Sequence, residues 1–448
     1  MSASTHDTLV VGAGVSGLTY AYARLRHTPR ERLLVLEAGA RVGGLVRTVQ
    51  EQDFRFEEGP EALPSTAREV RELCAELEVP LHEAPPAAAK RYLLLDGKLQ
   101  EVPAAPEGMA TSRILSFGAK LRLLAEGSVA RDVGLDDSIA EFARHRFGAE
   151  ALERIVEPLV AGIHAGKPEE LSLRACFPEV VRLVEEHGSI SAALKARAAR
   201  KSSGERATPL GGSLIRPRAG MERLAEALAN RLEGRVRLDV RVVSLAAGAH
   251  GFRMHTGAGE SFSATRVVLA LPLAIARELL TSVAPDAAAA LRTMACEGLA
   301  SVVHAYPRSA VTHALDGFGY LVPRGAGGQV LGTLFSSTID PSCAPADCVL
   351  LRTLLGGARS PSTLELDEST LREEAVRATS SVLGIRGAPL LARVARYPAV
   401  IPRFDLAHPT RLATLGASLP SGLTVLGNFT QGLGLARLVK AAREAALL

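Results

Sequence analysis

Three closely spaced glycines and one acidic residue near the start of the chain have the spacing of a dinucleotide-binding turn. Gly12, Gly14 and Gly17 follow one apolar run, and Glu37 ends a second. The first glycine allows a sharp turn off a strand, the second lets a pyrophosphate approach the backbone, and the third lets the next helix, expected to begin near Leu18, pack closely. The helix N-terminus then faces the phosphates, and the Glu37 carboxylate can accept hydrogen bonds from a ribose. A glycine triplet also occurs in plain turns, but the flanking apolar runs favour a nucleotide site.

A second glycine pair indicates which dinucleotide binds. Gly43 and Gly44 come shortly after Arg41. Nicotinamide enzymes have no standard need for a further close backbone approach here. The pyrophosphate and ribityl chain of FAD, in contrast, continue past the first helix and gain from such an approach beside a cation. The sequence therefore predicts FAD as the cofactor, and a glycine-rich surface turn is the alternative.

The C-terminal segment repeats the order of strand, glycine turn and helix. The apolar run Leu423–Leu426 is followed by Gly427 and Asn428, then by Gly432-Leu433-Gly434 and a predicted helix from Leu435. The N-terminus of a helix carries a partial positive charge. This helix can therefore face the electron-rich end of a flavin ring.

The composition is that of a globular protein with more than one domain. The 448 residues are too many for a single core, and the net charge of +4 is small for this length, so no nucleic-acid partner is expected. Trp is absent and only 4% of residues are aromatic, which argues against the aromatic cage with which amine oxidases hold an amine. The five cysteines form no CxxC pair, so neither a disulfide framework nor a metal site is predicted.

Two kinds of pattern bear on location. No basic and apolar leader precedes the first strand, and the longest strictly apolar run, residues 267–276, is too short to span a bilayer and contains Pro272. The sequence therefore predicts a cytoplasmic protein in a reducing compartment. An apolar stripe over residues 114–124 and a basic run over residues 195–206 leave two interpretations open. One is peripheral contact with the cytoplasmic membrane, and the other is a core-facing helix followed by a solvated linker.

Local patterns predict further elements between the two ends of the chain. A hairpin is expected around Asp96-Gly97. Ser138 and Glu141 form a capping box before a helix that Gly148 is expected to end. One continuous strand is predicted over residues 236–245.

Segments spread over nearly the whole chain resemble the oxygen-dependent, FAD-containing protoporphyrinogen oxidase family of the amine oxidase and phytoene desaturase superfamily. Beyond the glycine signature these segments are Glu58-Gly59-Pro60, Lys90-Arg91-Tyr92, Glu157-Pro158-Leu159, Phe177-Pro178, Leu331-Gly332-Thr333, Gly427-Asn428 and residues 162–166, 171–174, 317–323 and 356–359. The glycine signature is common to the superfamily and indicates only FAD. The segments at 162–166, 317–323 and 356–359 are more particular to this family.

The resemblance implies an α/β fold with a Rossmann-like FAD-binding domain, a mixed-sheet α+β substrate domain and a helical, membrane-facing lobe. The expected segments are 1–85, 211–275 and 416–448 for the FAD-binding domain, 86–111 and 276–415 for the substrate domain, and 112–210 for the helical lobe. The oligomeric state, monomer or homodimer, is left open.

Carried over position by position, the resemblance assigns residues to both ligands. The expected FAD-binding residues are Gly12, Gly14, Val15, Ser16, Gly17, Glu37, Ala38, Arg41, Gly43, Gly44, Gly59, Pro60, Val242, Gly427, Asn428, Gly432 and Leu433. The expected substrate-binding residues are Glu61, Gly162, Ile163, His164, Leu321 and Phe335. For Leu321 and Phe335 the alternative is plain core packing, and for His164 it is a solvent-side position in the loop.

The chain departs from the pattern of the family at two places. Relatives carry an acidic residue and a cysteine just after the last glycine turn, where this chain has Leu435-Ala436-Arg437-Leu438. No arginine follows Gly59-Pro60, so a cation that holds a propionate must come from elsewhere, and Lys90 and Arg91 are the candidates. These departures leave the fold and FAD unchanged and put the exact substrate in question.

The reaction that the resemblance implies is a step of heme biosynthesis. Protoporphyrinogen IX, a tetrapyrrole, is oxidised to protoporphyrin IX in three two-electron rounds, with molecular oxygen as acceptor and hydrogen peroxide as by-product. Hydride leaves a ring carbon for flavin N5, so the protein mainly orients an apolar macrocycle, and no catalytic side chain is assigned. The alternatives are a same-fold oxidase of coproporphyrinogen III or of a secondary metabolite, an amine oxidase, and a catalytically silent FAD-binding scaffold.

Overall fold

The computed structural model of the protein describes residues 4–103, 106–129, 134–202, 213–248, 251–326 and 328–448. Within these ranges the strands are β1 Ser4–Val11, β2 Leu33–Leu36, β3 Thr48–Glu51, β4 Phe54–Glu57, β5 Leu63–Pro64, β6 Leu81–Glu83, β7 Tyr92–Leu95, β8 Lys98–Glu101, β9 Leu214–Pro217, β10 Val236–Arg237, β11 Val242–Gly248, β12 Gly251–Thr256, β13 Ser261–Ala270, β14 Cys296–Pro307, β15 Gly319–Leu321, β16 Val330–Leu334, β17 Cys348–Gly356, β18 Leu391–Pro402 and β19 Leu423–Leu426.

The α-helices are spread between these strands. In the same ranges they are α1 Val15–His27, α2 Arg68–Glu76, α3 Pro106–Thr111, α4 Phe117–Leu124, α5 Ile139–Phe147, α6 Ala149–Ala151, α7 Glu157–His164, α8 Leu173–Cys176, α9 Pro178–His187, α10 Ile190–Ser202, α11 Arg223–Arg231, α12 Leu273–Leu280, α13 Pro285–Arg292, α14 Ser336–Ile339, α15 Glu368–Leu383, α16 His408–Ser418, α17 Asn428–Gln431 and α18 Leu435–Ala446. A π-helical turn, Leu152–Val156, leads into α7, and a 3-10 turn, Gly357–Arg359, follows β17.

The first sheet is parallel at its centre and carries the nucleotide-binding unit. Its strand order is β10-β2-β1-β13-β12-β11, and β19 pairs with the C-terminal half of β13. β1 runs parallel to both β2 and β13. Parallel strands are covered on both faces, which explains why β1, β2 and β13 contain apolar runs rather than alternation. The sheet takes strands from all three segments expected for the FAD-binding domain, so distant parts of the chain meet in it.

Two local predictions in this sheet need correction. The strand expected over residues 236–245 is two strands, because Asp239 adopts a left-handed backbone (φ +57) between β10 and β11. Helix α1 begins at Val15 rather than near Leu18, since the Gly14 oxygen already accepts a hydrogen bond from Leu18 N at 3.0 Å.

The second sheet is mixed, with the strand order β18-β14-β17-β16-β15-β7-β8. β15 and β7 are parallel, and the other neighbours in the sheet are antiparallel. The hairpin predicted around Asp96-Gly97 is confirmed as β7 and β8. One face of this sheet packs against α15 through a core that includes Tyr306, Phe335 and Leu371.

A helical lobe, α4 to α9, lies between β8 and β9 in the sequence. Its core contains Ile139, Phe142, Val160 and Val184. The N-cap half of the capping box is confirmed, because the Ser138 hydroxyl accepts a hydrogen bond from Glu141 N at 3.2 Å and α5 ends at Gly148. The Glu141 carboxylate pairs with Arg144. No helix in the described part of the chain is both long enough and apolar enough to cross a membrane.

The boundary expected near residue 275 differs from the packing. Helices α12, α13 and α16 bury Leu279, Leu291 and Leu415 in the same core as Leu9 and Leu423 of the first sheet. They therefore belong to the first sheet by contact, although residues 276–415 were expected to form the substrate domain. A parallel sheet must be covered on both faces, and the apolar sides of these helices cover one face of the first sheet.

Candidate active site

The first glycine turn joins the end of β1 to the start of α1. Gly12 has a left-handed backbone (φ +103), and a Cβ on it would lie 2.2 Å from the Ala270 carbonyl oxygen. A Cβ on Gly17 would lie 2.0 Å from the Gly12 oxygen. For a Cβ on Gly14 the closest atom would be the Gly44 Cα, at 4.0 Å. Gly12 and Gly17 thus pack the turn together, whereas Gly14 faces open space.

The second glycine cluster lies directly against the first. Gly43 N donates a hydrogen bond to Ala13 O at 2.8 Å, and Gly14 and Gly43 form an isolated parallel bridge. A Cβ on Gly44 would lie 3.3 Å from the Gly14 Cα. Two side-chain-free backbone segments therefore face each other beside the N-terminus of α1, which is the cradle that a pyrophosphate needs. The residues present fit FAD.

Glu37 lies at the end of β2 beside this cradle. Its Oε2 accepts a hydrogen bond from Ala13 N at 2.8 Å, and its Oε1 accepts one from Gly39 N at 2.8 Å. Its own backbone oxygen accepts a hydrogen bond from Val240 N at 2.8 Å. The carboxylate is therefore fixed by two amides and keeps further acceptor sites, so its contact with a ribose stays a prediction.

Other residues predicted to bind FAD surround the cradle. Val15, which is buried, and Ser16, which is half-buried, begin α1. Ala38 is half-buried in the turn after β2, and Pro60 is half-buried in the turn after β4. Val242 is buried at the start of β11.

Arg41 braces the second glycine cluster. Its Nη2 donates to Gly44 O at 2.6 Å, and its Nη1 donates to Val42 O at 3.0 Å and to Val46 O at 3.2 Å. The guanidinium also pairs with Glu222 at 3.1 Å. Arg41 therefore holds the loop in shape, and its contact with a phosphate remains a prediction.

The turn after β19 connects the two sheets. Asn428 Nδ2 donates to Val400 O, in β18, at 2.8 Å. A Cβ on Gly427 would lie 2.6 Å from the ring of Phe429. Gly427 and Asn428 thus fix the end of β18 against the FAD-binding sheet.

The last glycine turn lies against the helical lobe. Leu433 packs on the core of that lobe, and a Cβ on Gly432 would lie 2.8 Å from Arg437 Nη1. Arg437 Nη2 contacts both carboxylate oxygens of Glu179, at 2.6 and 2.8 Å. The chain thus places an arginine, held by an acid of the helical lobe, in the first turn of α18.

The end of α7 meets the second sheet at Gly162. A Cβ on Gly162 would lie 2.5 Å from Leu321 Cδ2, so the helix and β15 are in direct contact there. Ile163, the next residue, is 44% exposed, and Leu321 is half-buried. The two predicted substrate contacts Ile163 and Leu321 therefore both border the end of α7, and Ile163 presents apolar surface to open space.

His164 is buried in the helical lobe. Its ring meets those of Phe177 and Phe404 edge to face, with centroids 5.3 and 5.9 Å away. Burial, helped by the positive charge of Arg437, lowers the pKa of His164 to about 4, so the ring is neutral at physiological pH. The solvent-side alternative for this histidine is wrong.

Packing shows the surroundings of three other residues that the sequence singled out. Phe335 is fully buried against Tyr320, so core packing describes its position. Lys90 pairs with Asp316 at 2.5 Å. Arg91 lies 4.4 Å over the ring of Phe318 and donates to backbone carbonyls. Both proposed propionate partners are thus already engaged by the protein.

Glu61 lies in a buried ion network that joins Arg352 of the second sheet to Glu57 in β4, Arg216 in β9 and Asp340. Its carboxylate is 3.4 Å from Arg352 Nη1 and 3.9 Å from Arg216 Nη1. Arg216 also binds Glu57 directly and lies 3.5 Å from Asp340. All five side chains are buried. The charge of Glu61 is thus balanced inside the protein, and its contact with the substrate stays a prediction.

The protonation of Glu57 makes stability depend on pH. Burial raises the pKa of Glu57 from 4.5 to about 7, although Arg216 opposes this shift. The folded state thus binds a proton more tightly than the unfolded chain, so this contribution to stability is complete below about pH 4.5 and is lost as the pH rises to about 7. We expect Glu57→Gln to flatten the fall in the free energy of unfolding over this window, measured by urea titration.

Glu126 provides a control of opposite sign. It is buried in the helical lobe beside Arg146, and hydrogen bonds from Ser191 and Ile190 outweigh desolvation and lower its pKa. Its contribution is therefore lost as the pH falls. If Glu126→Gln and Glu57→Gln changed the pH profile in the same direction, the assignment of Glu57 would be wrong.

Two arginines of this region were not predicted from the sequence as site residues. Arg352 lies in β17, and Arg359 lies in the turn that follows it. The signal for Arg352 was present, since it is a single charge in the apolar run Val349-Leu350-Leu351-Arg352-Thr353-Leu354. A charge inside a central strand must find partners within the fold.

Comparisons with known proteins agree with this geometry. Residues 15–425 match the family of flavin containing amine oxidoreductases. The chain is 33% identical to protoporphyrinogen oxidase 1, chloroplastic, of Arabidopsis thaliana, over 99% of this chain and 88% of the relative. It is 24% identical to coproporphyrinogen III oxidase of Bacillus subtilis (strain 168), over 97% of this chain and 96% of the relative.

A solved structure shares the fold over the whole chain. It is a protein from Exiguobacterium sp. 255-15, described provisionally as a protoporphyrinogen oxidase, with a TM-score of 0.83 and 22% identity over 100% of this chain and 98% of that chain. The predicted fold class, a Rossmann-like FAD-binding domain with a mixed-sheet second domain, is confirmed. FAD as the cofactor is confirmed as well.

Proposed function

Because this chain belongs to the family of flavin containing amine oxidoreductases, we propose that it oxidises protoporphyrinogen IX to protoporphyrin IX, with molecular oxygen as electron acceptor and hydrogen peroxide as by-product. The observation that carries the proposal is similarity over the full chain to a protein named protoporphyrinogen oxidase, at 33% identity. A likeness confined to the glycine signature would have supported only a flavin site.

The residues of the site have separate tasks in this reaction. FAD, when bound, supplies the hydride acceptor, so no side chain has to carry the redox step. Gly14 and Gly44 would hold its pyrophosphate, and Glu37 its ribose. Ile163 and Leu321 present apolar surface to the macrocycle. Each round removes one hydride and one proton from the substrate, and three rounds with three oxygen molecules give the porphyrin and three molecules of peroxide.

Coproporphyrinogen III is the second candidate substrate. It is favoured by the similarity to the Bacillus subtilis enzyme over 97% of this chain. Two further propionates would have to be desolvated in its pocket, which costs free energy beside apolar residues such as Ile163 and Leu321 unless cations meet them. Lys90 and Arg91, the two cations considered from the sequence for this role, are engaged elsewhere. We therefore place protoporphyrinogen IX first.

The test uses the purified, flavin-loaded protein with each porphyrinogen in turn. Porphyrin fluorescence and hydrogen peroxide are followed together in air, without any nicotinamide cofactor. We expect both signals with protoporphyrinogen IX and a lower rate with coproporphyrinogen III. If the rate with coproporphyrinogen III is the higher one, the second candidate replaces the first. If neither rate exceeds autoxidation, the substrate is not a porphyrinogen.

We also propose that the protein is cytoplasmic and touches the membrane peripherally through α4. Phe117, Leu121 and Leu124 follow one face of this helix and are 77, 52 and 77% exposed. Lys120 and Arg122 lie beside this stripe in sequence, as on helices that rest in an anionic interface. The proposed membrane contact does not include the basic run 195–206, because its side chains from Arg197 onward lie outside the described residues.

Replacing Leu121 and Leu124 together with aspartate should abolish sedimentation with anionic lipid vesicles, because the apolar stripe is lost and negative charge is added. Leu390→Asp is the matched control, since Leu390 is 51% exposed on the second domain. We expect the control to sediment like the wild type, and high salt to release both. Sedimentation of the double variant at the wild-type level would exclude α4 as the contact.

A further inference from the structure

Arg352 joins the second sheet to the turn after β4. Its Nη1 donates to Gly59 O at 2.6 Å, its Nη2 donates to Glu58 O at 3.0 Å, and its Nε donates to Ser301 Oγ at 2.8 Å. All three guanidinium nitrogens thus donate hydrogen bonds, two of them to one turn and one to a strand. A planar fork can do this, whereas a lysine ammonium is a single point of contact.

The turn that Arg352 holds is pressed against the FAD cradle. A Cβ on Gly59 would lie 2.1 Å from Leu45 O, so the backbones of these two segments touch. Leu45 directly follows Gly44, which faces Gly14. Because closely packed backbone cannot absorb a shift locally, a displaced Gly59 turn moves the second glycine pair.

Arg359 joins the same sheet to the start of α7. Its Nε and Nη2 donate to the two carboxylate oxygens of Glu157 at 2.7 and 2.6 Å, and its Nη1 donates to Val322 O at 2.6 Å. The side chains of Arg359 and Glu157 are only 8 and 6% exposed. A bidentate pair of this kind fixes orientation as well as distance.

The turn that carries Arg359 also holds the other end of α7. Ala358 N donates to Ala165 O at 2.7 Å, and a Cβ on Gly357 would lie 2.5 Å from that oxygen. Ala165 has a left-handed backbone (φ 48), which costs a residue with a side chain free energy unless its surroundings impose it. The contact of Gly162 with Leu321 lies within this clamped helix.

We infer that Arg352 and Arg359 are the positioning residues of the active site: Arg352 sets the Gly59 turn against the FAD cradle, and Arg359, through Glu157 at the start of α7, sets this helix against β15. The inference rests on the proposed function in one respect, namely that the end of α7 borders the substrate. β17 and its following turn thereby align both ligands from one rigid strand. A purely structural role would change stability and leave affinity and kinetics untouched.

Arg359→Lys tests the substrate side. The lysine cannot hold both Glu157 oxygens and Val322 O, so the start of α7 is released and the helix, with Gly162 and Ile163, shifts against β15. We expect kcat/KM to fall roughly tenfold to a hundredfold, mainly through KM, with the bound FAD unchanged. Glu126→Gln, which disturbs the buried pair with Arg146 in the helical lobe, is the control and should lower only the melting temperature.

Arg352→Lys tests the cofactor side through a readout other than activity. Apoprotein is titrated with FAD, and binding is followed by quenching of flavin fluorescence. We expect the dissociation constant to rise about tenfold, the scale for loss of a charged hydrogen bond. Tyr397→Phe is the matched control, because the Tyr397 hydroxyl donates to the same Glu58 oxygen and its loss leaves Arg352 in place.

The two failures can be told apart. If the wild type oxidises neither porphyrinogen, the proposed function fails, and hydrogen exchange of the Ala165 and Ala358 amides still reports on Arg359. Faster exchange in Arg359→Lys than in Glu126→Gln supports the clamp. Wild-type exchange in Arg359→Lys and wild-type FAD affinity in Arg352→Lys would overturn the inference.

Discussion

Replacing Gly14 with leucine is expected to give a folded protein that purifies without flavin. The backbone of Gly14 is extended (φ −71, ψ 174), and the closest atom to a Cβ there is the Gly44 Cα at 4.0 Å, so the fold tolerates a side chain. That side chain would occupy the open space that Gly14 faces beside the second glycine cluster, which is the path of the pyrophosphate. The ratio of flavin absorbance to protein absorbance measures the loss, and circular dichroism measures the fold.

Gly12→Ala and Gly17→Ala are the informative contrasts. Their Cβ atoms would lie 2.2 and 2.0 Å from backbone oxygens, so these variants should lose the fold itself and appear as insoluble or strongly destabilised protein. A Gly14→Leu protein with wild-type circular dichroism and full flavin absorbance would show that the pyrophosphate lies elsewhere. A Gly12→Ala protein as stable as the wild type would contradict the packing of the turn.

The elements that sequence reasoning found are those whose signals are local. The glycine spacing around Gly14, the helix N-cap at Ser138 and the hairpin at Asp96-Gly97 each depend on a few neighbouring residues. Their geometry follows from backbone sterics and hydrogen bonds within one turn. The prediction of one strand over residues 236–245 failed because the break in it has a cause that is not local. The left-handed Asp239 is held by a distant turn, through a hydrogen bond from Asp239 N to Gly39 O at 3.0 Å.

Sequence reasoning predicted the residues that surround the cofactor and missed the buried charged residues that hold them in place. Glu61 was expected to meet the substrate because it follows Gly59-Pro60, yet its partners Arg216 and Arg352 lie far away in sequence. No periodicity reveals such a pair. A charged residue within an apolar strand, as at Arg216 or Arg352, indicates that a buried partner exists without indicating which one. Tertiary structure alone supplies the pairing.

The buried network also supports the largest expected loss of stability. Arg216 is buried between Glu57, Asp340 and Glu61 and touches all three directly or within 3.9 Å. Arg216→Met keeps much of the volume and removes the charge, so the carboxylates are left without their central cation. We expect the free energy of unfolding to fall by about 3 to 5 kcal/mol, the range for removal of one partner from a buried ion pair.

The carboxylates, rather than the missing bulk of Arg216, should cause this loss, and a double variant separates the two. Adding Glu57→Gln to Arg216→Met removes the carboxylate that binds Arg216 directly, so part of the stability should return. Urea unfolding of the wild type, both single variants and the double variant gives the coupling free energy. If the double variant is no more stable than Arg216→Met, packing explains the loss and the charge of Glu57 does not. If Arg216→Met is itself as stable as the wild type, the network contributes nothing to the stability of the fold.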